Sequence, residues 1–210
     1  MEPLESTPRL ETPQEAFWKN EFGTAYALRN RDLAQARLGF WSKILALTGN
    51  LHSVCELGAN IGENLQALKG LSPGLDLGAV EINPDAFAVL HTLPGIRAWL
   101  GAIQDYQPTR TFDLVFSCGV LIHLNPNDLP GVYQKMLHLS ERYVLINEYF
   151  NPSPQEIPYR GESERLYKRD FAGEFLDTHC AQVEVVGYGF LWKRLEPAWD
   201  NTTWTLFRKR

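Results

Sequence analysis

The chain has 210 residues, 44% of them hydrophobic, which suits one domain with a continuous core. Its net charge of -5 supplies no overall basic field, which disfavours tight, sequence-independent binding to nucleic acid. No apolar run approaches the ~20 residues of a bilayer-crossing helix, and "MEPLESTPRLETPQEAF" lacks both a charged n-region and an apolar h-region, so a cytoplasmic protein without membrane partners is expected.

Residues 1–13, rich in Glu, Pro, Ser and Thr, read as a flexible lead to a single domain over 14–210. In "FWKNEFGTAYALRN", Phe17, Trp18, Phe22 and Tyr26 are too many aromatics for a solvated face, and Arg29 and Asn30 follow them. The segment 14–50 is therefore expected to form a helical lid. Over 31–47, apolar residues at helical spacing (Leu33, Phe40, Trp41, Ile44 and Leu45 among them) predict a helix that Gly49 closes.

Short apolar runs then alternate with helical patterns, from "HSVCEL" and "IGENLQALKGL" to "FDLVFSC" and "RYVLINEYF". That alternation predicts an α/β fold of parallel βαβ units with helices on both faces. A Pro-rich stretch opens an insertion over 152–170, and "QVEVVGYGFLW" and "TTWTLFRK" predict an antiparallel pair at the sheet edge. The three cysteines, Cys55, Cys118 and Cys180, are widely spaced in apolar runs and read as reduced core thiols, with neither a disulfide framework nor a metal site.

In an open parallel sheet, ligands sit at the carboxyl ends of the strands. There "CELGANIGEN" places Gly58 and Gly62, which let backbone approach a ligand, around Asn60 and just after Glu56. The second strand ends in Glu81, a carboxylate suited to two ribose hydroxyls. A glycine-rich turn followed by an acid also describes dinucleotide sites. However, the pattern here is E-x-G-x-N-x-G, and an acid at that place repels a pyrophosphate but can hold an ammonium group. S-adenosylmethionine (SAM) has a ribose, no phosphate and a cationic amino acid end.

Over 54–146 the sequence resembles the class I SAM-dependent methyltransferases. The resemblance implies their Rossmann-like fold, a mostly parallel seven-stranded sheet with an antiparallel edge strand, and SAM as cofactor. It assigns Gly58 and Gly62 to the methionine part, Glu81 to the ribose, and Ile82, Ala102 and Ile103 to adenine. The superfamily often has Asp at position 102, which is Ala here. "FDLVFSCGVLIHL" matches the fourth strand and its turn, so Ser117, Cys118 and Gly119 would line the sulfonium end. Tyr26 and Arg29 join the implied cofactor site through an aromatic face and a carboxylate pair.

Four further stretches, "FWKNEFGTAYALRN", "VLIHLNPNDLPGVYQKM", "EYFNPSPQEIPYRGESERLYKRDFAGEFLD" and "GYGFLW", resemble the methylases associated with pseudaminic acid biosynthesis. Where that branch usually reads "IAEYYNPSP", this sequence has "INEYFNPSP", with Asn147 replacing a small apolar residue. Methyl transfer is an in-line displacement governed mainly by alignment, and an amine or hydroxyl acceptor must shed a proton. His123, Asn147, Glu148 and Tyr149 are the catalytic candidates. Asn151, Tyr159, Arg160, Arg169 and Tyr188 are candidates for holding a small-molecule acceptor, a sugar or an amino acid derivative. Two other readings stand beside methyl transfer: a SAM cyclase, in which the amine of SAM attacks its own γ-carbon to give azetidine-2-carboxylate and methylthioadenosine, and a binding protein without turnover.

Overall fold

The computed structural model describes residues 9–20, 22–25, 31–158 and 165–210. Helix α1 (Pro13–Lys19) starts on a capping box, in which Thr12 accepts from the Glu15 N–H and Glu15 accepts from the Thr12 N–H. Arg9, inside the expected flexible lead, pairs with Glu15 and with Asp105 on the body of the molecule.

Helix α2 (Ala34–Thr48) precedes strand β1 (Ser53–Leu57), helix α3 (Glu63–Leu71), strand β2 (Asp76–Glu81), helix α4 (Pro84–Leu90), and strands β3 (Ile96–Leu100) and β4 (Phe112–Cys118). Helix α5 (Leu129–Leu139), strand β5 (Ser140–Glu148) and the short ribbon of β6 (Gln155–Glu156) and β7 (Tyr167–Lys168) follow. Helix α6 (Phe171–His179), β8 (Val183–Leu191) and β9 (Thr202–Lys209) complete the order.

Seven strands form one sheet in the order β3-β2-β1-β4-β5-β9-β8. β1 to β5 pair in parallel, and β9 runs antiparallel to both β5 and β8. The antiparallel pair at the sheet edge is the one the sequence predicts, and the whole is the class I methyltransferase fold. β1 and β4 are buried along almost their full length because helices cover both faces of a parallel sheet.

Side chains alternate between those faces. On one, Val54, Leu114, Phe116 and Leu145 pack with Phe40 and Trp41 of α2 and Leu65 of α3. On the other, Cys55, Val115, Val144 and Ile146 pack with Met136 of α5 and Phe175 of α6.

The predicted helix over 31–47 begins three residues later because its N-terminus is capped from a distance. The Glu63 carboxylate accepts the N–H groups of Asp32, Leu33 and Ala34 at 3.0, 2.7 and 2.6 Å, and Asp32 turns the chain with φ 62°. Gly49 closes α2 as expected, its N–H on the Leu45 carbonyl. Cys180, expected in the core, is exposed just beyond α6, whereas Cys55 is buried. Among the described residues, no helix is long and apolar enough to cross a membrane.

Candidate functional site

The carboxyl ends of β1 and β2 each finish on a buried acid, and the turn between β1 and α3 wraps around them. Gly58, Asn60 and Gly62 all take positive φ (83°, 50° and 84°), so three alternate residues carry the chain through left-handed conformations. Glycine relieves this strain, and Asn tolerates it better than most residues. A Cβ on Gly58 would stand 2.5 Å from a Val120 methyl group, so the β1 turn and the β4 turn touch backbone to side chain.

Glu56 is 1% exposed; Asn64 Nδ2 donates to its Oε1 at 2.6 Å, and its Oε2 is buried with no partner. Burial pushes this carboxyl up to about 8 against the opposing pull of Asn64 and Arg37. Glu81 accepts the Asn60 N–H on Oε2 and the Asn83 N–H on Oε1, both at 2.7 Å, and burial raises its pKa despite these bonds. Each carboxylate oxygen can accept a second bond.

These groups line a cleft of about 1030 Å³, counted out to its open mouth. Gly58, Asn60, Glu56 and Glu81 line it on one side, and Ile82, Ala102 and Ile103 continue it beyond β2 and β3. Gly119 and His123 line it from the β4 turn, while Gln14, Glu15 and Trp18 of α1 face it from above. Gly62 shapes the turn without lining the cleft; a Cβ there would meet Leu90 and Leu93.

Asn83 fastens α1 over this cleft. Its side-chain oxygen accepts the N–H groups of Asp85 and Ala86 to start α4, and its Nδ2 donates to the carbonyls of Trp18, Lys19 and Asn20.

A second cavity, of about 990 Å³ counted out to its open mouth, adjoins the first and shares Arg37, Cys118, Gly119 and His123 with it. Asn147 and Tyr149 line it, as do Lys193, Asp200 and Thr202 from the β8–β9 connection. Tyr149 donates its hydroxyl to Asp200 Oδ2 at 2.6 Å, and Lys193 binds Asp200 Oδ1 at 2.7 Å. Burial pushes Asp200 up, but the bonds from Lys193 and Tyr149 prevail and hold its pKa low. Asn147 is 1% exposed, with Nδ2 against Cys118 Sγ at 3.8 Å and Oδ1 unpartnered. Arg37 stands at the junction, its guanidinium 4.6 Å from the Trp199 ring centroid and bonded to Asn64 Oδ1 at 2.9 Å.

Other expected residues sit elsewhere. Glu148 lines neither cavity: its Oε1 accepts Ser117 Oγ and the N–H groups of Val120 and Leu121, each at 3.0 Å. Those donors draw the carboxylate into the β4 turn, and Ser117, also absent from both linings, is consumed by the same bond. Burial raises Glu148 to about 7.

His123 bonds through Nδ1 to the Arg165 carbonyl at 2.7 Å, and burial lowers it to about 4. Arg169 pairs with Glu174 at 2.8 Å, Asn151 bonds the Ser153 carbonyl, and Tyr188 is 80% exposed, so none of the three lines either cavity. Tyr26, Arg29, Tyr159 and Arg160 lie outside the described residues.

Residues not singled out from the sequence include Arg37, Asn64, Asn83, Lys193, Asp200 and Thr202. For Lys193, Asp200 and Thr202 the local signal is "WKRLEPAWDNTT", a charged and aromatic connection too long for a tight hairpin.

Searches of solved structures return proteins of this fold at low sequence identity. A 1,6-didemethyltoxoflavin-N1-methyltransferase from Burkholderia thailandensis, bound to 1,6-didemethyltoxoflavin and S-adenosylhomocysteine (SAH), is 15% identical at a TM-score of 0.68, covering 97% of this chain and 93% of that one. A SAM-bound amino pentose methyltransferase from Micromonospora echinaspora, involved in calicheamicin biosynthesis, is 13% identical at a TM-score of 0.65, covering 98% and 100%. The glycopeptide N-methyltransferase MtfA, complexed with SAH, is 14% identical at a TM-score of 0.62, covering 84% and 89%. No protein-family model and no curated protein matches the chain. At these identities the likeness carries the fold.

Proposed function

We propose that the chain is a SAM-dependent methyltransferase acting on a small molecule, of the branch resembling the pseudaminic acid-associated methylases. The observation that carries this reading is the pair of strand-end acids. Glu56 offers a buried, unpartnered carboxylate oxygen that an ammonium would satisfy, and Glu81 offers lone pairs for two hydroxyls, with the left-handed Gly58 turn between them. An amino acid joined to a ribose answers both acids, and a pyrophosphate answers neither.

In this reading Glu56 and Arg37 hold the amino acid end, Glu81 the ribose, and Ile82, Ala102 and Ile103 the base. When bound, SAM supplies an electrophilic methyl group on sulfonium. The chain contributes alignment: the β4 turn, fixed by Glu148, separates the cofactor cleft from a second cavity where an acceptor would stand. The solved proteins of this fold include enzymes whose names record small-molecule acceptors, which agrees with that division.

Cyclisation of SAM is the second reading. Asn147 favours it, since its unpartnered Oδ1 beside Cys118 is a place where the amine of a bent SAM could be held. Incubating the purified protein with SAM alone separates the two. The methyltransferase reading expects SAM to bind and remain intact; release of methylthioadenosine would establish cyclisation, and absence of SAM binding would remove both.

A further inference from the structure

The connection after β3 begins beside the acid that ends β2, since Gly101 donates its N–H to the Glu81 carbonyl at 2.8 Å. Ala102, which lines the cleft there, has no polar side chain with which to read a base. Two residues on, Gln104 lines the same cleft, and its Oε1 is buried with no hydrogen-bond partner among the described residues. A buried amide oxygen costs free energy until a donor reaches it.

A glutamine amide has a donor end and an acceptor end, so a neighbour must fix which of the two a ligand meets. Gln104 Nε2 donates to Asp128 Oδ2 at 3.2 Å. An ionised carboxylate only accepts, so it holds the NH2 group and would repel the oxygen if the amide turned over. The main chain is fastened as well: Lys135 Nζ binds the carbonyls of Gln104 and Tyr106 at 2.6 and 2.7 Å, which pins this connection to α5. Asp128 therefore sets Gln104 as an acceptor. The unpartnered Arg37 Nε and Glu56 Oε2 on the same lining stand at the β1 end, where both side chains bond Asn64.

We propose that Gln104 Oε1 accepts a hydrogen bond from the exocyclic amino group of the adenine ring, and that Asp128 is a positioning residue that keeps Gln104 an acceptor. This rests on the SAM reading of the cleft. In an adenine nucleoside the amino group at C6 is the one N–H donor of the base, and the ring nitrogens accept. Hypoxanthine carries an oxygen at C6, which would meet Gln104 oxygen to oxygen. The Gln104–Asp128 pair thus selects an adenosine derivative over an inosine derivative, whereas Glu81, on the ribose, treats the two alike.

The test is calorimetry with SAH and its deaminated analogue S-inosylhomocysteine, which differ only at the base. Wild-type protein is expected to bind SAH at least about tenfold more tightly than the analogue. Gln104→Leu should weaken SAH by about tenfold and leave the analogue within about twofold of its wild-type affinity. Asp128→Asn frees the amide to turn its NH2 group toward the base, so it should strengthen binding of the analogue and cut the preference to about threefold or less, an effect that a merely structural role would not produce. Melting temperatures report whether each variant folds. Equal or tighter binding of the analogue by wild-type protein, or a preference left intact in Gln104→Leu, would overturn the contact; a preference unchanged in Asp128→Asn would overturn the positioning role. Failure of both compounds to bind wild-type protein would instead overturn the SAM reading.

Discussion

Near the end of β1, Glu56 is a buried carboxyl, 1% exposed. Its pKa is raised to about 8, so its charged form is disfavoured in the folded chain relative to the unfolded one. The sign follows: protonation stabilises the fold below the ordinary carboxylate range, and that contribution is lost as pH rises through about 8. Glu56→Gln should therefore stabilise the ligand-free protein at alkaline pH, by roughly 1 to 3 kcal/mol in a denaturant titration. The same charge is what an ammonium needs. SAM affinity should rise in wild-type protein as pH approaches about 8, with proton release visible in calorimetry across buffers, and Glu56→Gln should remove both. Glu81→Ala should weaken SAM binding by about 1 to 3 kcal/mol through lost charge-assisted hydrogen bonds, and unchanged affinity would remove the ribose assignment.

At the scale of elements, β1 through β5 and their helices were legible because period-two and period-3.6 patterns alternate with clear turns. Much of the cleft was legible for the same reason, since Glu56, Gly58 and Glu81 sit where a strand must end. What was not legible is carried by contacts across the sequence. Glu63 caps α2 from some thirty positions away, reaching the N–H groups of residues 32–34, and nothing local to α2 announces it. Glu63→Ala should lower stability by about 1 to 2 kcal/mol, the scale of a lost helix cap, read as a lower denaturation midpoint. The acceptor candidates read from the sequence lay mostly in the 152–170 insertion; of that insertion Leu166 lines the second cavity, which Lys193, Asp200 and Thr202 of the β8–β9 connection also line. Spacing does not report which of two long connections folds back over a strand end.

The molecule as a whole divides into a sheet that holds the strand-end acids and an N-terminal segment laid across them. Gln14, Glu15 and Trp18 face the cleft from α1, so a ligand there would touch both parts. Saturating SAH should raise the melting temperature, by mass action worth about 2.7 kcal/mol at a hundredfold excess over Kd. Hydrogen exchange should also slow in α1 as well as in the Gly58 turn. Protection confined to the sheet would show that α1 does not close on the ligand.

Asn83 joins those two parts through a single amide group. Its backbone N–H rests on Glu81, and its side chain clasps the end of α1. Glu81 and the end of α1 are therefore tied to one residue, and in the proposed reading a ribose on Glu81 would bear on α1 through Asn83. For the proposed methyltransferase, a looser Asn83 would quicken the escape of product from under α1 while leaving the methyl-transfer step itself unchanged.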